Sequence, residues 1–259
     1  MGPQVVAHRG ASHEVAEHTL GAYVAALEAG ADAFECDVRM TADGHLICVH
    51  DRDLRRTASN RGVVSTMELA DLDGLDFASW KNPWADLDDE APDRDASLDT
   101  VLTLRKLLET VADYERPVEV AIETKHPTRY GGLVERRLVE MLRDFGWDRP
   151  GSPVRVMSFS WTALQRVRRL APDVPVVMLL EKVHHWPALK PVLGEDWIVG
   201  PGIRLLRESP RLRASLVRAG RELHVWTVNT RGDLELCLDL GVNAVITDRP
   251  AYLLELLGR

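Results

Sequence analysis

The chain has little cysteine. Cys36, Cys48 and Cys237 are the only three in 259 residues. An odd, sparse set gives no disulfide framework and fits a reducing compartment. Long apolar runs are also missing: none approaches the ~18 residues of a membrane-spanning helix. The N-terminal residues hold no basic segment leading into an apolar one. A soluble, cytoplasmic protein with no stable membrane insertion is therefore expected. Positive charge is in deficit, with 32 Lys and Arg against 40 Asp and Glu and a formal net charge of −8. That balance argues against a general nucleic-acid binder and against adhesion to anionic membranes. An anionic substrate would need a local positive site. Lysine itself is scarce, five against 27 arginines. Much of the acid excess lies in 86–95 (DLDDEAPDRD), which reads as a solvated loop. Neither an internal repeat nor a low-complexity tract is present.

What the chain does have is alternation. Apolar, β-branched runs lie at 4–8, 33–38, 46–50, 118–124, 154–159, 175–180, 197–200, 222–228 and 244–247. Helical stretches separate them, at 19–29, 99–112, 131–145, 161–170, 186–193, 209–219, 231–239 and 250–258. The hydrophobic content of 45% is ordinary for a globular core. This pattern and length predict the α/β class and a TIM-like (β/α)8 barrel, one domain over residues 1–259. The run 46–50 reads as the return arm of a hairpin, because Asp43-Gly44 before it is a turn signal. Residues 52–98 break the alternation with polar, Asp-rich sequence that includes Trp80, Pro83 and Trp84. They are expected to form an inserted cap over one mouth of the barrel. Gly30, Gly220 and Gly241 are placed to end helices in a left-handed conformation. Asp248 is placed to cap the last helix, with Pro250 in its first turn.

The chemistry-bearing residues gather at strand ends. His8 and Arg9 close the run Val5-Val6-Ala7. A His to move a proton beside an Arg to hold an oxyanion suggests phosphate-ester chemistry. Glu35 and Asp37 stand two apart on a strand, so they share one face, while Cys36 between them faces the core. Two carboxylates inside a barrel are costly unless something positive joins them. A hard divalent cation is the natural partner, with Glu123 from another strand as a third oxygen ligand. His50, followed by Asp51, ends its own run and supplies a second histidine opposite His8. One would act as acid and the other as base. Lys125 lies two residues beyond Glu123, points the same way, and can hold a phosphate oxygen beside Arg9.

These residues follow a pattern. The matching stretches include His8-Arg9-Gly10, Glu17-His18-Thr19-Leu20, Gly30-Ala31-Asp32, Glu35-Cys36-Asp37-Val38, Thr41-Ala42-Asp43-Gly44, His50-Asp51 and Arg56-Thr57. They continue with Glu123-Thr124-Lys125, Ser158-Phe159, Trp226-Thr227-Val228-Asn229 and Thr247-Asp248-Arg249-Pro250. In this order, over almost the whole length, the chain resembles the glycerophosphodiester phosphodiesterase family. The resemblance implies a TIM-like barrel with an inserted cap. It implies His8 and His50 as the acid–base pair, Glu35, Asp37 and Glu123 as ligands of one Mg²⁺ or Ca²⁺, and Arg9 and Lys125 on the phosphate. Trp226 would pack against the alcohol portion of the substrate, and Glu17 would support the residues around the metal. The implied activity is hydrolysis of glycerophosphodiesters to glycerol 3-phosphate and an alcohol. The rivals are a lysophospholipase D acting on lipid-tailed diesters and a non-catalytic barrel that binds phosphodiesters. The chain departs from the family at Ala16-Glu17-His18-Thr19, where members usually read Pro-Glu-Asn-Thr. His18 is bulkier than Asn and titratable, which bears on loop geometry and substrate preference. Trp80, Trp84 and Phe159 are candidates for an apolar lip, with ordinary packing within the insertion as the other reading. His13, His184 and His185 read as surface residues. Head group, metal identity and oligomeric state stay open.

Overall fold

The β-branched runs become strands, and eight of them lie parallel around a barrel. The computed structural model describes residues 2–82 and 96–259. Trp84, Pro83 and the acidic tract 86–95 lie outside the described residues. In chain order come β1 (Gln4–His8), α1 (Leu20–Glu28), β2 (Ala33–Met40) and the short β3 (Leu46–Cys48). Two single-turn helices follow, α2 (Arg55–Ala58) and α3 (Leu69–Leu72), and then α4 (Leu104–Ala112). Alternation then sets in with β4 (Glu119–Thr124), α5 (Leu133–Asp144), β5 (Val154–Ser158), α6 (Trp161–Leu170), β6 (Val176–Leu180), α7 (His185–Leu189) and β7 (Ile198–Pro201). It closes with α8 (Ile203–Glu208), α9 (Pro210–Ala219), β8 (His224–Val225), α10 (Arg231–Asp239), β9 (Ala244–Thr247) and α11 (Pro250–Leu256).

The hydrogen-bonded order is β7-β6-β5-β4-β2-β1-β9-β8, with β3 antiparallel on β2 as the hairpin signal predicted. Parallel bridges Val199–Leu223 and Gly202–Trp226 bring β7 against β8 and nearly close the ring. Each strand divides its side chains between two cores. On β2, Phe34, Cys36 and Val38 are buried against the helices, so Cys36 is the core residue its place predicted. Ala33 instead joins Val6, Ala121, Met157, Val177, Leu179, Ile198, Ala244 and Ile246, which fill the barrel interior. The helices present matching stripes. On α4, Leu104, Leu107, Leu108 and Val111 are the buried set, at the spacing of one helical face. Thr19, Thr103, Ser160 and Thr230 cap α1, α4, α6 and α10 by accepting from backbone N–H groups of the first turn.

Three sequence expectations shift. The run 222–228 narrows to β8 at His224–Val225, because beyond Val225 the chain bonds alternately to both neighbours. Trp226 N–H donates to Pro201 O and Val228 N–H to Ile246 O. The run 46–50 ends at Cys48, which leaves His50 on a loop. Helix α8 was not foreseen; its buried Ile203, Leu205 and Leu206 form a single apolar turn too short to show periodicity. Gly30, Gly220 and Gly241 do take positive φ at helix ends. The described part of the predicted cap, 52–82, gathers Leu54, Val64, Leu72 and Phe77 with Ile47, Val49 and Val101 into a separate apolar cluster beside β3. No helix among the described residues is long and apolar enough to cross a membrane.

Candidate active site

The C-terminal ends of β1, β2, β4, β5, β6 and β9 open into one cavity of about 320 Å³. Its lining includes His8, Arg9, Glu35, His50, Glu123, Lys125 and Trp226. Asp37, two residues beyond Glu35 on β2, is ion-paired with the lining residues Arg9 and Lys125. The predicted site residues therefore converge on one mouth of the barrel.

β1 and the turn after it set the first group. Arg9 has φ 61°, a left-handed conformation that a non-glycine residue adopts at a cost. Gly10 follows at φ 84°, where an added Cβ would lie 2.6 Å from the carbonyl carbon of Ala22. Only glycine lets the turn close onto α1. His8 Nδ1 lies 2.5 Å from Asp248 Oδ1. Asp248 also accepts from Ser12 Oγ at 3.2 Å and from Asn229 Nδ2 at 2.6 Å. Burial opposes its ionisation, but these donors hold the Asp248 carboxyl down at about 2. This corrects the reading of Asp248 as a helix cap. Arg249 occupies the N-cap of α11 without a side-chain bond, and Asp248 is turned to His8 instead. Strand register accounts for the contact. β1 pairs with β9 at Ala7–Thr247, so His8 and Asp248 are the next residues of adjacent strands.

Glu35, Asp37 and Glu123 bring ligand-capable oxygens within 4.8 Å of one another, all buried. Their environments differ. Burial works against the Asp37 charge, yet His18 Nε2 at 3.0 Å, Arg9 Nε at 3.0 Å and Lys125 Nζ at 3.1 Å hold its carboxyl well below the usual range. Glu35 has weaker support: the Arg9 backbone N–H at 3.2 Å and His8 Nε2 at 3.9 Å. Burial and the Asp37 charge push Glu35 well up. Burial and Asp37 likewise raise Glu123 to about 8, although Lys125 Nζ stands 2.8 Å away. Two of three clustered carboxylates are thus short of positive charge, and a hard cation among them fits the donor set. Lys125 bridges Asp37 and Glu123 here, and its side chain lines the cavity together with Glu35 and Glu123.

His18, the departure from the family pattern, is buried behind Asp37. Its backbone has φ 61°, a conformation that Asn tolerates more readily than most residues. Its Nδ1 lies 2.9 Å from Tyr23 Oη. Burial lowers its pKa; Nε2 faces Asp37 Oδ2 at 3.0 Å, and the Tyr23 hydroxyl beside Nδ1 also donates to the Glu35 carbonyl at 3.3 Å.

His50 reaches the cavity from the loop after β3. Its Nδ1 lies 2.8 Å from Asp51 Oδ1, and Arg39 Nε donates to its carbonyl at 2.9 Å. Burial lowers the His50 pKa; Asp37 opposes this, and Arg9 and Lys125 add to it. A chain of ion pairs links the two histidine loops. Arg9 bonds Glu17 at 2.9 Å, Arg56 bonds Glu17 twice at 2.7 Å, and Arg56 Nε bonds Asp51 at 2.7 Å. Sequence reasoning gave Arg56 and Asp51 no role, because the link runs between segments about 40 residues apart and has no local pattern. Burial works against the Glu17 charge, but Arg56 and Arg9 hold it down at about 2, against an ordinary 4.5. A depressed carboxylate stabilises the fold above its unfolded-state pKa and loses that contribution as pH falls through its folded value. Stability should therefore drop between about pH 4.5 and about 2, and Glu17→Gln should flatten that part of the curve. A pH series of urea denaturations with identical slopes for both proteins would refute the link.

The aromatic candidates separate. Trp226 lines the cavity, donates from Nε1 to Gly200 O at 2.8 Å and meets Phe159 edge-on at 5.5 Å. Phe159 is 40% exposed on the rim. Trp80 lies under Arg56, 5.5 Å from its guanidinium, and lines a smaller neighbouring space with Lys81 and Ser12. His13 and His184 are exposed and His185 is half-buried.

A parallel barrel whose C-terminal mouth joins two carboxylate-bound imidazoles, three clustered acids and two basic side chains has the means to handle a phosphate ester. That class agrees with known proteins. A sequence profile of the Glycerophosphoryl diester phosphodiesterase family matches residues 8–252. The chain belongs to that family. A Mycobacterium tuberculosis protein described as "Probable glycerophosphodiester phosphodiesterase 1" is 43% identical over 96% of this chain and 90% of its own length. The glycerophosphodiester phosphodiesterase of Bacillus subtilis is 34% identical over 95% of this chain and 83% of its own. An Oleispira antarctica phosphodiesterase, solved with the product sn-glycerol-3-phosphate, matches with a TM-score of 0.81 over 99% of this chain and 97% of that one. At 23% identity that likeness is one of fold.

Proposed function

We propose that the protein is a phosphoric diester hydrolase that cleaves glycerophosphodiesters to glycerol 3-phosphate and an alcohol. The observation that carries this is the pairing of both cavity histidines with carboxylates through Nδ1, His8 to Asp248 and His50 to Asp51. Each pairing leaves Nε2 as the free ring nitrogen, poised for proton transfer to or from a substrate. His50, whose pKa is lowered by burial and by the Arg9 and Lys125 charges, takes the proton of the nucleophile, which is either water or the substrate's own glycerol hydroxyl; the latter forms a cyclic phosphate that water then opens. His8 gives a proton to the leaving alkoxide, with the Asp248 charge steadying the imidazolium. Arg9 and Lys125 draw the phosphate oxygens, and Trp226 packs against the alcohol. Glu17 holds Arg9 in place through its ion pair. Glu35, Asp37 and Glu123 would hold one divalent cation, Mg²⁺ or Ca²⁺, as their oxygen-only donor set suggests. When bound, that cation supplies charge stabilisation at the phosphoryl oxygens. Residues 1–259 act as one domain, with an insertion in the chain at 52–98.

The test is release of alcohol from glycerophosphocholine, glycerophosphoethanolamine and lysophosphatidylcholine. Turnover of the first two supports the reading. Turnover of lysophosphatidylcholine alone supports a lysophospholipase D in its place. No turnover of any, with binding retained, supports the non-catalytic barrel.

A further inference from the structure

Beside Trp226 the cavity carries a carboxylate, Glu181, to which the reaction above gives no role. Arg9, Glu35, Lys125 and the histidines come from β1, β2, β4 and the loop after β3. Across the mouth stand Leu179 and Glu181 from the end of β6, with Trp226 after β8. Register fixes how these last residues face one another. β6 pairs with β7 at Leu179–Gly200 and Leu180–Pro201, and the Gly202 N–H still bonds Leu180 O at 3.1 Å. The next residue, Glu181, therefore stands beside Gly202. On its other flank Gly202 bridges Trp226, and a Cβ built on Gly202 would lie 3.4 Å from the indole. A carboxylate and an indole thus occupy neighbouring positions roughly 10 Å apart, two strand spacings, with a bare glycine between them. The Trp226 ring is fixed there by its bond to Gly200 O and by the edge contact with Phe159.

Glu181 is exposed and forms no ion pair among the described residues. It lines a cavity whose other walls include the apolar Met157, Leu179 and Ile246. In such a space a carboxylate repels a phosphodiester with a neutral alcohol. It attracts one whose alcohol is positive, and an indole face adds to that attraction. Resting on the hydrolase reading above, we infer that Glu181 and Trp226 form a subsite for a cationic alcohol, a quaternary or primary ammonium such as a choline or ethanolamine head group. Arg9 and Lys125 take the phosphate end, and Glu181 takes the ammonium end, so the site matches a zwitterion. Gly202 keeps the space between them open.

The probes are glycerophosphocholine and its uncharged isostere, the 3,3-dimethylbutyl ester of glycerol 3-phosphate, which differ in charge and hardly in size. The native protein should favour the choline ester in kcat/KM by roughly 10-fold, and added salt should reduce that ratio. Glu181→Gln should bring the ratio close to the small preference the indole alone provides, and Glu181→Lys should invert it. A native ratio near one overturns the subsite, as does a ratio that Glu181→Gln leaves unchanged while both rates fall together. If neither ester is hydrolysed, the hydrolase reading fails. The same ratio, read from Kd by calorimetry, then judges the subsite by the same limits.

Discussion

His8→Ala lowers kcat by roughly 10²–10⁴-fold, the usual scale for lost general acid–base help. His8 touches Asp248, Ser12 Oγ bonds its carbonyl, and the ring is half-buried at the cavity wall. Removing the ring therefore leaves β1 and the Arg9 turn standing, and a non-hydrolysable phosphodiester should still bind. His50→Ala should lose a comparable factor, because its ring projects from a loop that Arg39 holds through the backbone. The two variants part company on leaving group. A p-nitrophenyl ester needs no proton on departure, so it should restore the His8 variant and leave the His50 variant slow. The native pH profile should be bell-shaped, since one ring works neutral and the other protonated. Stopped assays on both esters decide it. Near-native turnover by either variant removes that residue from the mechanism, and rescue of the His50 variant instead reverses the assignment.

Excess chelator should abolish turnover, and Glu35→Gln should reduce it by at least roughly 10²-fold at limiting metal. Glu35 is the informative member of the triad. Asp37 is tied to His18, Arg9 and Lys125, so changing it disturbs the fold as well as the donor set. Glu35 is a buried carboxylate pushed up by burial and by Asp37, with few partners of its own. A carboxylate with a raised folded pKa costs stability as pH rises through that value. In chelator, Glu35→Gln should therefore raise the Tm near neutral pH, and with metal present it should lower the metal-dependent gain. Calorimetry with and without the cation reads both. Full turnover in chelator with no metal detected, or a Glu35→Gln Tm below the native one when both are in chelator, would overturn the assignment.

The fold was legible because most strands and most helices are long enough to show a period, and the carboxylate pair Glu35 and Asp37 because strand geometry puts alternate residues on one face. Short elements were not legible. α8 is one apolar turn, and β8 is two residues flanked by chain that bonds to both sides. Asp248 was visible as a residue but misread, since Asp two residues ahead of Pro250 is a local capping signal while its bond to His8 spans 240 positions. The Glu17–Arg56–Asp51 path had no local signal at all. Burial and charge decide His18: its position in the family pattern was plain, but its seat behind Asp37 depends on Tyr23 from α1.

That ion-pair path has a consequence for how the site can be altered. The loop after β1 and the segment after β3 meet at the mouth through charged side chains, with Glu17 gripped from both sides by Arg9 and Arg56. A graft of the segment after β3 from a relative would need apolar residues in place of Leu54, Val64, Leu72 and Phe77 to meet Ile47, Val49 and Val101. It would dock His50 correctly only if an arginine and an aspartate arrived at positions 56 and 51. The interchangeable part of this barrel is thus a segment with a two-residue key, and the lock is a single glutamate, Glu17, in the turn between β1 and α1.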